Sequence, residues 1–341
     1  MKPEAGPSRR ALLAAACAPA VWTTEKSGSR LPVTGAGEWL FEVHHDWGEL
    51  PARISYGNTH GVCIDSEGLV YVHHTVNAAS ASDDTVVVFD PRGRFLRSWG
   101  GEFKGGAHGL AIRREGSEEY LYFCDTRRAV VAKYTRRGER VWEIGYPEES
   151  PAYQPGADGR RPRYSPTNLA IASSGDIYVA DGYGSSFINV YDAQGRWKFT
   201  FGGKGREAGR LDCPHGIAID AQDHIYIADA QKHTVEKFTL GGELLMTLGT
   251  PGWAAVTMRG EPFNMPTGTA IAPDGSLFIS DGYGNRRVHH FTADGRLIHS
   301  WGAPGSAPGE FILPHFLDVD RYGTVYVCDR ENDRIQLFTA E

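Results

Sequence analysis

The sequence predicts an all-β protein, a six-bladed β-propeller whose ring is closed by an N-terminal strand. Three observations lead there: a turn-and-strand motif that recurs six times, room in every unit for about four short strands, and an unpaired strand pattern near the N-terminus that matches what the last unit lacks. Helical periodicity is nearly absent. Short runs of Val, Ile, Tyr and Phe instead alternate with Asp-Gly and other glycine-rich turns, supplied from 42 glycines in 341 residues.

The recurring motif opens each unit. It reads Thr59-His60-Gly61-Val62, Ala107-His108-Gly109-Leu110, Pro166-Thr167-Asn168-Leu169, Pro214-His215-Gly216-Ile217, Pro266-Thr267-Gly268-Thr269 and Pro314-His315-Phe316-Leu317, at intervals of 48 to 59 residues. The longest interval holds a Pro-, Gly- and Arg-rich insertion around 153–163. Within a unit the second strand looks like residues 176–181, the third like 235–238 and the fourth like 296–302, each bounded by turn formers. The last unit ends with its third strand, at 335–338. Residues 37–43 match 242–248 in pattern and supply the missing fourth strand, so one propeller domain is expected over 37–341. Pairing strands from the two termini also removes the exposed edges of an open array.

Composition excludes several classes of partner. The net charge is −7, with acids and bases interspersed, so no basic stripe marks a nucleic-acid or membrane surface. A small-molecule or peptide substrate fits better, or a protein partner at one mouth of the ring. Residues 1–30 differ in kind: Ser8-Arg9-Arg10-Ala11-Leu12-Leu13 leads into an apolar stretch over 11–22, too short to span a bilayer. This reads as a twin-arginine export signal and predicts a periplasmic or extracellular protein with no transmembrane segment once mature. Cleavage could follow Ala16 or Ala20, and Cys17 offers a lipid-anchor position. The other four cysteines fall in four different units, which predicts buried free thiols and no disulfide framework.

The start of each innermost strand faces the channel mouth, so the equivalent positions form a ring: His60, His108, Thr167, His215, Thr267, His315. With only 13 histidines in the chain, four on one ring is a non-random placement. His108, His215 and His315 lie on blades two, four and six, related by steps of about 120°, and can converge on one ion with a coordination position left open. That is the ligand pattern of catalytic zinc. His60 breaks the threefold spacing and is expected on the substrate side, with Tyr183 and Thr267. No phosphate-binding glycine loop, serine nucleophile elbow or zinc-finger cysteine pair competes with this ring. Aspartates in turns such as Asp274-Gly275 and Asp294-Gly295 are ordinary turn formers.

The repeat resembles the NHL repeat over essentially the whole propeller. From 213 to 338 the likeness is narrower. Pro214-His215-Gly216, then Pro266-Thr267-Gly268 with Asp281-Gly282-Tyr283-Gly284-Asn285-Arg286, then Pro314-His315-Phe316 with Asp329-Arg330-Glu331-Asn332, resemble three consecutive blades of peptidyl-α-hydroxyglycine α-amidating lyases. The resemblance implies an exported, zinc-dependent lyase that cleaves the C–N bond of an α-hydroxyglycine-type substrate to an amide and glyoxylate. It implies zinc ligands at His215 and His315, a third at His108 if the blade order is circularly offset, a base at Tyr283, and a substrate-carboxylate partner at Arg330. Where the family carries a second arginine this chain has Asp181-Gly182-Tyr183. The residues after the histidines are Gly109, Gly216 and Phe316, with no aspartate to hold the family's calcium, and Gly284 stands at a family cysteine. Calcium and that disulfide are therefore not expected. Two other readings remain open: a non-enzymatic NHL propeller that binds a peptide, glycan or partner protein, and a lactonase-like metal-dependent hydrolase.

Overall fold

A computed structural model describes residues 31–36, 39–252 and 263–340. The expected export signal and Cys17 lie outside the described residues. Six antiparallel sheets form around a central channel, which is the predicted propeller. Their innermost strands are Thr59–Ile64, Ala107–Glu115, Asn168–Ile171, Pro214–Ile219, Gly268–Ile271 and Pro314–Val319. No helix among the described residues is long and apolar enough to cross a membrane.

Local chemistry explains the short strands. Asp90 ends one strand, its Oδ1 accepts the amides of Arg92 and Arg94 at 2.9 Å each, and Gly93 takes φ 80° to complete the reversal. Similar tight turns close hairpins of other blades, Asp192 to Gly195 between two outer strands and Asp220 to Asp223 between the two innermost. Apolar side chains on the two faces of each blade then pack against its neighbours. The buried core accordingly divides into six clusters, one at each blade-to-blade interface, such as Phe41, Val43, Val288, Trp301, Val327 and Phe338 between blades five and six.

The last blade is closed from the other end of the chain. Strand β1 (Val33–Ala36) and strand β2 (Trp39–Trp47) join the sheet of Pro314–Val319, Val325–Asp329 and Arg334–Ala340. β2 pairs directly with the C-terminal strand, Phe41 opposite Ala340, Val43 opposite Phe338 and Trp47 opposite Ile335. The expected fourth strand is therefore present, and β1 adds a fifth outside it that the sequence pattern did not reveal. Cys63, Cys124, Cys213 and Cys328 are free thiols, three of them buried.

A carboxylate ends the second strand in five of the blades and shapes the loops around the mouth. Asp125, Asp181, Asp229, Asp281 and Asp329 are fully buried. Asp181 shows how they work. It accepts the amides of Ser165 at 2.6 Å and Ser185 at 2.7 Å, and the hydroxyl of Tyr153 at 2.6 Å. Tyr153 thereby pins the long insertion to the turn that carries Tyr183. In blade one His74 stands in place of the aspartate and accepts from the Val76 amide through Nδ1.

Candidate metal centre

The ring residues meet at the mouth as the strand register requires. His108 Nδ1 lies 2.6 Å from the Thr167 carbonyl, His215 Nδ1 2.6 Å from that of Thr267, and His315 Nδ1 3.0 Å from that of His60. Each contact reaches from one blade to the next in the ring. A carbonyl only accepts, so all three imidazoles carry their proton on Nδ1 and present a lone pair at Nε2. Fixing the tautomer by a backbone carbonyl is the usual support of a metal-binding histidine.

Glycine is required after His108 and His215 for the same reason. A Cβ at Gly109 would meet the Thr167 oxygen at 2.7 Å, and one at Gly216 would meet the Thr267 oxygen at 2.7 Å. The close approach that lets the ring nitrogen reach the neighbouring carbonyl leaves no room for a side chain. After His315 the pattern changes. Phe316 is buried, with its ring centroid 4.2 Å from His315, 5.2 Å from His215 and 5.3 Å from His108. It floors the site, and beneath it the channel continues as a cavity of about 270 Å³ lined by Val62, Leu110, Ile217 and Asp318.

Two phenols face the lone pairs. Tyr183 Oη is 2.9 Å from His215 Nε2, 3.3 Å from His108 Nε2 and 2.7 Å from Tyr283 Oη, which is itself 3.1 Å from His215 Nε2. Two hydroxyl protons thus serve two imidazoles and one phenol–phenol contact, while His315 Nε2 is buried with no partner. Burial, with neighbouring imidazoles and Arg330 adding to it, holds His60, His108 and His315 well below the ordinary histidine range, and burial brings His215 to about 4. Several neutral imidazoles with converging lone pairs and too few protons fit a transition-metal cation such as zinc.

The tightest trio of nitrogens differs from the threefold set. His60, His108 and His315 each place a nitrogen within 4.8 Å of the other two, with His60 ring centroids 4.7 and 4.6 Å from its neighbours. His215 belongs to the same cluster, 5.1 Å from His108 and 4.8 Å from His315 by centroid. Proximity favours the first trio and the Nδ1 anchoring favours His108, His215 and His315. The anchoring fixes where the lone pairs of His108, His215 and His315 point, which the separation of nitrogens alone does not.

Arg330 supplies the positive charge at the rim. Its Nε is buried without a partner and its Nη1 is 3.1 Å from Glu331. Thr267 has a supporting place: its hydroxyl donates to Pro314 O at 2.8 Å and its carbonyl holds His215. Arg160 and Arg161, on the insertion, pair with Asp158 and Glu148. Burial raises the Tyr183 and Tyr283 phenols, with Cys213, two residues before His215, adding a smaller push, and burial lifts the Cys213 thiol to about 12. Neither Cys213 nor Phe316 stood out in the sequence, although both flank ring histidines.

The closed ring of six blades with a histidine-lined mouth is a β-propeller, and residues 211–238 and 263–291 match the NHL repeat. Relatives in sequence include NHL repeat-containing protein 3 of Homo sapiens, 33% identical over 174 residues, which covers 48% of this chain and 45% of that protein. A probable peptidyl-alpha-hydroxyglycine alpha-amidating lyase of Caenorhabditis elegans is 35% identical over 140 residues, 39% of each chain. These matches thus span less than half the length of either relative. Among solved structures, a streptogramin B lyase superposes over 90% of this chain and all of its own with a TM-score of 0.59, at 13% identity, a likeness of fold alone.

Proposed function

We propose that this protein is an exported, metal-dependent lyase that cleaves an N-acyl-α-hydroxyglycine-type substrate into an amide and glyoxylate. The observation that carries the reading is the set of carbonyl-anchored imidazoles at the mouth, His108, His215 and His315, aimed beside a pair of phenols and an unpartnered arginine nitrogen. The similarity to a protein named as an amidating lyase supports it. The three histidines would hold a zinc ion, which when bound supplies Lewis acidity for a substrate hydroxyl.

The chain's own groups account for the rest. Arg330 receives the substrate carboxylate, since its Nε is buried and unpartnered and guanidinium matches a carboxylate in two parallel hydrogen bonds. Phe316 closes the floor against the channel and keeps the reacting centre dry. Tyr283 accepts the hydroxyl proton as its phenolate, a form that a dication bound beside it would favour by lowering the phenol's pKa. Burial raises this phenol, while the hydrogen bond from Tyr183 and the charge of Arg330 pull it back down. As the proton leaves, the oxygen's electron pair forms the aldehyde C=O, the C–N bond breaks with its pair going to nitrogen, and Tyr283 returns the proton to the amide nitrogen.

The experiment is incubation of zinc-loaded protein with several N-acyl-α-hydroxyglycines, reading glyoxylate against spontaneous breakdown. Tyr283→Phe should lower turnover and retain metal, Arg330→Lys should mainly raise KM, and His215→Ala should lose metal and activity together. Release no faster than background for every acyl group would end the lyase reading. The export proposal rests on Arg9 and Arg10, and retention of an Arg9→Lys, Arg10→Lys variant inside the cytoplasm is its expected outcome.

A further inference from the structure

The histidine left over from the threefold set is the least satisfied of the four. His108, His215 and His315 each have Nδ1 on a carbonyl of the next blade, but His60 Nδ1 is buried with no partner. His315 Nε2 is also buried and unpartnered. A buried polar nitrogen without a partner costs about 1–3 kcal/mol, and here two occur in rings whose centroids are 4.6 Å apart.

We propose that His60 is a fourth, exchangeable ligand of the metal, closing its open coordination position in the resting protein and giving way when an external ligand enters. This rests on the metal-centre reading above. The position suits the role, since a nitrogen of His60 lies within 4.8 Å of those on His108 and His315, close enough for one ion to serve all three. The contrast in anchoring suits it too. Three rings are locked by a hydrogen bond at the far nitrogen and one is not, so the unlocked ring is the one that can swing away at least cost. Backbone strain does not oppose the motion, because the His60 carbonyl stays fixed by His315 Nδ1 while only the side chain turns.

Cobalt(II) replaces zinc with a visible spectrum that reports its ligands, and azide serves as the probe of the exchangeable position. Wild type, His60→Ala and His60→Gln are loaded with cobalt, checked for fold by circular dichroism, and titrated with azide. Both variants should shift the cobalt band, bind cobalt at least about tenfold more weakly, as even loss of a ligand's supporting partner does, and bind azide more tightly once the competing imidazole is gone. X-ray absorption on the zinc-loaded wild type needs no variant and should count four imidazoles. Unchanged spectra and unchanged metal and azide affinities in both variants, or a count of three imidazoles, would overturn the role of His60 and leave the metal centre standing. Failure of the wild type to bind either metal would overturn both.

Discussion

Gly216→Ala is the sharpest single test of how the ring is built. Its Cβ would sit 2.6 Å from Gly268 Cα and 2.7 Å from Thr267 O, both backbone atoms of the next inner strand. Ordinary contact begins near 3.4 Å, so the two strands must part by about 0.8 Å. The same Thr267 oxygen holds His215 Nδ1 at 2.6 Å, and a shift of that size stretches the bond to about 3.4 Å, beyond a useful hydrogen bond. Overpacking of this kind costs about 1–3 kcal/mol, and loosening a buried hydrogen bond adds on the order of 1 kcal/mol. For a domain of about 300 residues the melting temperature should fall by about 3–6 °C. Zinc affinity should drop in the same variant, because the imidazole loses its anchor. Gly145→Ala is the control, since nothing lies within 4 Å of its added Cβ. Thermal unfolding and zinc titration of the two variants side by side are the assay. If Gly216→Ala melts and binds zinc as Gly145→Ala does, the close approach of inner strands is not what orients the histidines.

Phe41 is buried in the closing strand and stacks on Trp301 with centroids 4.9 Å apart, so Phe41→Ala should cost about 3–5 kcal/mol in chemical unfolding; an unchanged midpoint would refute closure through β2. Tyr153→Phe leaves the buried Asp181 without its 2.6 Å hydroxyl partner and should destabilise by about 1–3 kcal/mol, read by thermal melting, with proteolysis appearing first in the insertion. In metal-free protein His215 is depressed to about 4, so the unfolded chain takes up a proton that the folded one refuses; the stability linked to it is intact above the ordinary histidine pKa near 6.5 and is lost as pH falls toward 4. His215→Gln should flatten the melting curve across that window, and equal slopes in wild type and variant would refute the linkage.

The architecture was legible because repeat register is a one-dimensional property. Once His60, His108, Thr167, His215, Thr267 and His315 align, the closure of six blades places them on one ring whatever their side chains do. The fourth strand of the last blade was legible for the same reason, by subtraction. What could not be read is set by rotamers and hydrogen bonds. The threefold argument orders the histidines by blade and leaves His60 out of the metal ligands, yet His60 has a nitrogen in the closest trio, because ring orientation decides distances that strand position does not. The sequence places Tyr183 on the substrate side without showing its neighbours, and the fold makes it the phenol that touches two imidazoles and the other tyrosine. Thr267 looked like part of the mouth, but its hydroxyl turns back onto Pro314. β1 was missed because four residues, two of them Gly and Ala, carry too little alternation to announce a strand.

The pairing of β2 with Arg334–Ala340 also fixes an order in time. On a ribosome Phe41 emerges before all six inner strands and before its partner Ala340, so the ring cannot shut until every blade has been made. Until then β2 has no partner strand in the last blade, and closing the ring joins segments far apart in sequence, a slow kind of contact to form. Any cellular machinery that holds nascent chains would find its substrate here, in β2, for as long as the six blades take to be made.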